Sequence, residues 1–143
     1  DVRELQASEF DALILPGGFG VAKNLSDFAS QGAACSVQAD VLRAAQSFAA
    51  AHKPIGLLCI APVLAAHIFG PGVLCSIGQD ADTAAAIEHM GGVHQACEVS
   101  DICEDPARKL VTTPAYMLAH SISAAASGIN KLVDRVLELA NQA

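Results

Sequence analysis

Between Pro54 and Gln79 the chain carries no Asp, Glu, Lys or Arg. An uncharged stretch of that length belongs either in a bilayer or in a protein core. Pro62 and the Gly70-Pro71-Gly72 turn decide between the two. They cut the run into pieces shorter than the ~20 residues a membrane-spanning helix needs. The stretch is therefore core. Residues 54–58 read as a strand buried on both faces and 61–69 as a helix with Pro62 tolerated in its first turn. Residues 73–77 read as a short strand.

The flanking sequence repeats this alternation. Asp11-Ala12-Leu13-Ile14-Leu15 reads as a buried strand that stops at Pro16-Gly17-Gly18-Phe19-Gly20. Residues 21–31 predict a short helix. Ser36 is a candidate cap for a longer one, with Val41, Leu42, Ala45, Phe48 and Ala49 on one face. Asp82 or Thr83 opens a helix to about Met90, closed by Gly91-Gly92. Residues 93–99 alternate as an edge or hairpin strand, and Leu110-Val111-Thr112-Thr113 is a strand stopped by Pro114. A last helix runs from about Gly128 to Asn141, with Ile129, Leu132, Val133, Val136, Leu137 and Ala140 in one stripe. Short apolar strands alternating with helices predict a single α/β domain over 1–143, a mainly parallel sheet with helices on both faces.

Composition excludes several functions. The net charge is −7 with eight dispersed basic residues, which offers no patch for a phosphate backbone, so nucleic acid is not an expected partner. There is no Trp and only one Tyr to stack on bases or sugars. Five cysteines at 35, 59, 75, 97 and 103 match neither a C-x-x-C nor a zinc pattern. Free thiols and no metal are expected.

Cys59 stands where the 54–58 strand gives way to a helix. That is the sequence form of an elbow that lifts one side chain to the top of a sheet. A helix start there would favour thiolate over thiol. A buried cysteine acting as a small hydrophobe fits the same segment. In parallel sheets ligands bind beyond the carboxyl ends of the strands. Three loops leave strands at that edge: 16–20, 59–62 and 113–116. Glycines in the first allow backbone N–H groups to approach a ligand, and beside a cysteine elbow this reads as an oxyanion pocket. The loop lacks nucleotide-binding spacing. Asn24 and Thr113 are candidates for the pocket edge, although a helix cap and a β-branched strand residue explain them equally well.

Three segments together resemble a known family: Pro16 to Ser26, Cys59-Ile60-Ala61-Pro62, and Val111 to Met117. They are similar to the ElbB family of isoprenoid-biosynthesis glyoxalases (sigma cross-reacting proteins). That family is a branch of the ThiJ/PfpI group in the class I glutamine-amidotransferase-like superfamily. The resemblance implies a flavodoxin-like sandwich with Cys59 as nucleophile and an oxyanion hole near Gly17 and Gly18 and at the Ile60 N–H. It implies weak, cofactor-independent conversion of glyoxal to glycolate, or deglycation of protein carbonyl adducts, in a homodimer. It also places the first two strands, and an acid hydrogen-bonded to the cysteine, ahead of Asp1. The 11–15 strand is then expected to be an exposed apolar edge, and the isolated chain to be unstable or to aggregate.

This chain departs from the resemblance in two places. Relatives with clear activity carry a histidine about twenty residues after the nucleophile, where this chain reads Ile77-Gly78-Gln79-Asp80. It also lacks a His-x-Glu pair, so glutamine hydrolysis is not expected. The leading expectation is a cysteine-dependent enzyme for small aldehydes. The alternative is a non-enzymatic redox or stress protein whose cysteine is oxidised. A bacterial cytoplasm is expected over a mitochondrial matrix, with no membrane association.

Overall fold

The computed structural model describes residues 1–142. The centre is built by two apolar tetrapeptides, Ile55–Leu58 (β2) and Leu110–Thr113 (β6), in which every residue is buried. Burial on both faces is the mark of a central parallel strand. They pair in parallel, Ile55 opposite Leu110 and Leu58 opposite Thr113. Leu13–Leu15 (β1) adds in parallel to the free side of β2, and Cys103–Asp105 (β5) adds antiparallel to β6. The order is β1-β2-β6-β5, which leaves β1 at an edge, as expected from the sequence. Leu74–Cys75 (β3) and Val93–His94 (β4) form a separate two-stranded parallel sheet.

Alternation along the strands sends side chains to opposite faces. Ile55 and Leu57 pack with Ala45 and Phe48 of helix α2 (Ala39–Ala50), and with Leu64, Ala65 and Ile68 around helix α3 (Ala65–Phe69). Leu58 and Val111 pack on the other face with Leu132, Val136 and Leu139 of helix α5 (Ile122–Asn141). Helix–sheet–helix layering gives the flavodoxin-like sandwich expected from the alternation. Each large side chain buried between layers contributes about 1.5–3 kcal/mol.

Several boundaries differ from the sequence expectations. The strand expected over 93–99 is confined to Val93–His94. The sheet is mixed, because β5 runs antiparallel despite its polar residues. Those polar residues are used: Asp105 is buried and accepts from the Leu74 N–H and from Arg108 Nη1, both at 3.0 Å. Glu104 takes Arg135 of α5 through two nitrogens, at 2.8 and 3.0 Å. β5 is thereby tied to β3 and to α5.

The 21–31 helix is split into a π turn, Val21–Leu25, and a short α1, Phe28–Gln31. Ser26 lies between them and donates its hydroxyl to Val21 O at 2.7 Å. The cap of α2 is Gln38, whose side chain accepts from the Val41 N–H at 2.8 Å, rather than Ser36. Asp80 caps helix α4 (Ala81–His89) through the Thr83 N–H. α5 starts at Ile122, capped by Ser121, and runs through Gly128 instead of beginning there.

Candidate functional site

β2 ends at Leu58 and the chain turns at once into a 3-10 turn, Ala61–Leu64, that leads into α3. Pro62 sits in that first turn, where its missing N–H leaves nothing unpaired. The turn is made at Cys59, whose φ is +59°. A non-glycine residue there is uncommon and costs about 1–3 kcal/mol. The Cys59 N–H donates to Thr113 O at 3.0 Å, which fixes the elbow to the end of β6.

The glycine loop lies against this elbow. Gly17 has φ +92°, and a Cβ there would stand 2.7 Å from Leu58 O and 2.8 Å from Cys59 Cβ. No larger residue fits. Gly18 follows with φ +87° and open space around it.

Cys59 opens on a cavity of about 400 Å³, lined also by Gly18, Phe19, Ala22, Phe28, Ile60 and Met117. Phe19 is 71% exposed at its mouth. The backbone N–H groups of Gly18 and Ile60 have no hydrogen-bond partner among the described residues, so two donors at the cavity wall are free. Apart from Cys59, no titratable side chain lines the cavity.

Of the sequence candidates, Cys59, Gly18 and Ile60 thus meet at one cavity, with Gly17 packed behind the nucleophile. Asn24 and Thr113 do not join them. Asn24 lines a separate surface depression with Ser26, Asp27, Ser36, Val37 and Gln38. The Thr113 hydroxyl is buried and donates to Asp101 O at 2.7 Å, so this residue reaches the elbow through its carbonyl only. Apolar Phe28 and Met117, missed in the sequence, form walls instead. Met117 stands next to the Pro114-Ala115-Tyr116 loop at the same sheet edge, a position that could have marked it.

Cys59 is the one cysteine of the five that is not buried. Burial pushes the Cys75 thiol up to about 12, with Cys103 and Asp105 adding to the shift, and pushes the Cys97 thiol up to about 11. Burial also raises Cys35 and Cys103. These four are held as thiols.

None of the five histidines lines the cavity. Among the described residues, no three His, Cys, Asp or Glu side chains come together as a metal site. No helix among them is long and apolar enough to cross a membrane.

No family model matches the chain. It is 44% identical to the human "glutamine amidotransferase-like class 1 domain-containing protein 3, mitochondrial", over 97% of this chain and 55% of that protein. It is 42% identical, with the same coverage, to the rat "ES1 protein homolog, mitochondrial". The chain thus spans about half the length of the curated relatives it matches. Among solved structures it superposes with a TM-score of 0.87 on an isoprenoid biosynthesis protein with an amidotransferase-like domain from Ehrlichia chaffeensis. That match is 30% identical and covers 97% of this chain and 63% of the other.

One expectation is corrected by these relatives. The uninterrupted Gly78–Thr83 turn was taken to favour a bacterial cytoplasmic protein, yet the matching curated relatives are mitochondrial proteins of animals. A loop length reports local geometry and carries no address. Over the span it shares with them, the chain belongs with the glutamine amidotransferase-like class 1 domain proteins, the ES1 homologues among them.

Proposed function

We propose that Cys59 is a nucleophile for small reactive carbonyl compounds, with glyoxal as the model substrate. The observation that carries this reading is the placement of a half-buried thiol on a strained elbow, facing a cavity with two free N–H donors. Attack by the thiolate on one aldehyde carbon forms a C–S bond and an alkoxide. The Gly18 and Ile60 N–H groups are placed to stabilise that charge. Transfer of the carbon-bound hydrogen to the neighbouring carbonyl carbon gives a thioester. Water then cleaves the thioester to glycolate and restores the thiol. The sum is glyoxal plus water to glycolic acid, with oxidation and reduction balanced inside the substrate.

The apolar lining supplies no side-chain base for the proton movements, so water carries them and turnover is slow. That same lining favours a second reading, in which Cys59 is oxidised by peroxide to sulfenate and then sulfinate, with water released at each step.

Glycolate formation from glyoxal, compared between the protein and its Cys59→Ser variant, separates the two. Loss of glycolate in the variant supports the carbonyl reading, and equal rates overturn it. Stoichiometric oxidation of Cys59 by peroxide without any glycolate formation selects the second.

A further inference from the structure

Three sulfur or imidazole donors from three different elements meet on the far side of α3 from Cys59. Cys35 ends the 3-10 turn Gly32–Ala34 and is buried. Met90 caps the C-terminus of α4, and His67 lies in α3. The Cys35 thiol is 3.8 Å from Met90 Sδ. His67 Nε2 lies 3.1 Å from Cys35 O, and since a carbonyl only accepts, Nε2 carries the proton. His67 Nδ1 therefore holds a bare lone pair. It is buried with no hydrogen-bond partner, and no other side-chain nitrogen or oxygen among the described residues is left in that state. A cavity of about 160 Å³ adjoins the group, lined by Ala33, Ala66, His67 and Met90.

We propose that Cys35, His67 and Met90 form a binding site for a soft monovalent cation, Cu(I). The donor set selects the ion: thiolate, thioether and imidazole suit Cu(I), whereas hard cations require oxygen ligands. A three-coordinate ion with metal–sulfur bonds of about 2.3 Å sets its two sulfurs about 4.0 Å apart, close to the separation already present. The charge balance agrees. One thiolate neutralises one monovalent ion, while a divalent ion would leave a net charge in a buried setting. The bond from His67 Nε2 to a backbone carbonyl is the outer-shell partner that orients a ligating imidazole and exposes its other nitrogen. Binding releases the Cys35 proton to solvent and involves no electron transfer. Cys59 takes no part, so this site stands apart from the proposed carbonyl chemistry.

The test is anaerobic Cu(I) titration of the Cys59→Ser protein against a chromophoric Cu(I) chelator, with ascorbate as reductant. X-ray absorption at the copper edge identifies the ligands. The expected result is one tightly held Cu(I) per chain, bound by sulfur and nitrogen. Cys35→Ser and Met90→Leu are each expected to weaken it about tenfold or more and to remove one sulfur. Met90→Leu conserves volume and keeps the test decisive if Cys35→Ser fails to fold. Failure of the Cys59→Ser protein to compete for Cu(I), or affinity and sulfur count unchanged by Met90→Leu, overturns the proposal.

Discussion

Gly17 and Cys59 occupy the same corner of the fold, each in a left-handed backbone conformation, with room between them for no more than a hydrogen on Gly17. The glycine loop and the cysteine elbow are therefore one structural unit. The loop's tight approach holds the elbow from one side and Thr113 O holds it from the other. Strain at Cys59 persists because both neighbours fix it.

Gly17→Ala should destabilise the protein by about 2–3 kcal/mol, the sum of positive-φ strain and a clash with backbone that cannot rotate away. Gly18→Ala meets nothing within 4 Å and should cost only the strain, about 1 kcal/mol. Urea unfolding midpoints of the two variants rank them. Equal midpoints would show that the loop is not pressed against the elbow.

Iodoacetamide applied to the native protein near neutral pH should modify Cys59 first. The other four thiols are buried, and Cys75 and Cys97 ionise only near 12 and 11. After denaturation all five should react alike. Peptide mapping of both samples checks this, and early labelling of Cys75 or Cys97 would contradict the burial.

The parts of this molecule legible in sequence are those fixed by local pattern. β2 and β6 are continuous apolar runs, and Cys59 stands at the one point where such a run meets a helix start. Features set by distant partners were not legible. β5 carries Glu104 and Asp105, which no strand pattern favours, and is stabilised by Arg135, Arg108 and the Leu74 N–H from other elements. Thr113 looked like a pocket residue because it ends a strand, but its hydroxyl is engaged by Asp101 O. Gly128 looked like a helix start because glycine weakens helices. Its actual role depends on Val99, far away in sequence.

Gly128→Ala puts helix propensity against packing. Propensity alone predicts a gain of about 1 kcal/mol inside α5. The added Cβ, however, would lie 2.2 Å from Val99 O and 2.6 Å from Thr113 Oγ1. Packing should win, with a net loss of about 3 kcal/mol as α5 is pushed from the 99–101 loop. A higher urea midpoint for this variant would mean that α5 does not seat where the close approach requires.

His94 should make stability depend on mildly acidic pH. Its Nε2 accepts the Ile77 N–H at 3.2 Å, which requires a bare nitrogen there. Burial lowers its pKa below the usual histidine value, with Glu88 acting in the opposite direction. The unfolded chain therefore takes up this proton before the folded one does. The stabilisation is complete above about pH 6.5 and is lost as pH falls through the folded-state value. Protonation would set a ring N–H against the Ile77 N–H and loosen the turn that follows β3. Urea midpoints measured at about pH 7.5 and about pH 5 should fall more for the protein than for His94→Gln, which keeps an acceptor and does not titrate. Parallel slopes for the two would remove His94 as the source.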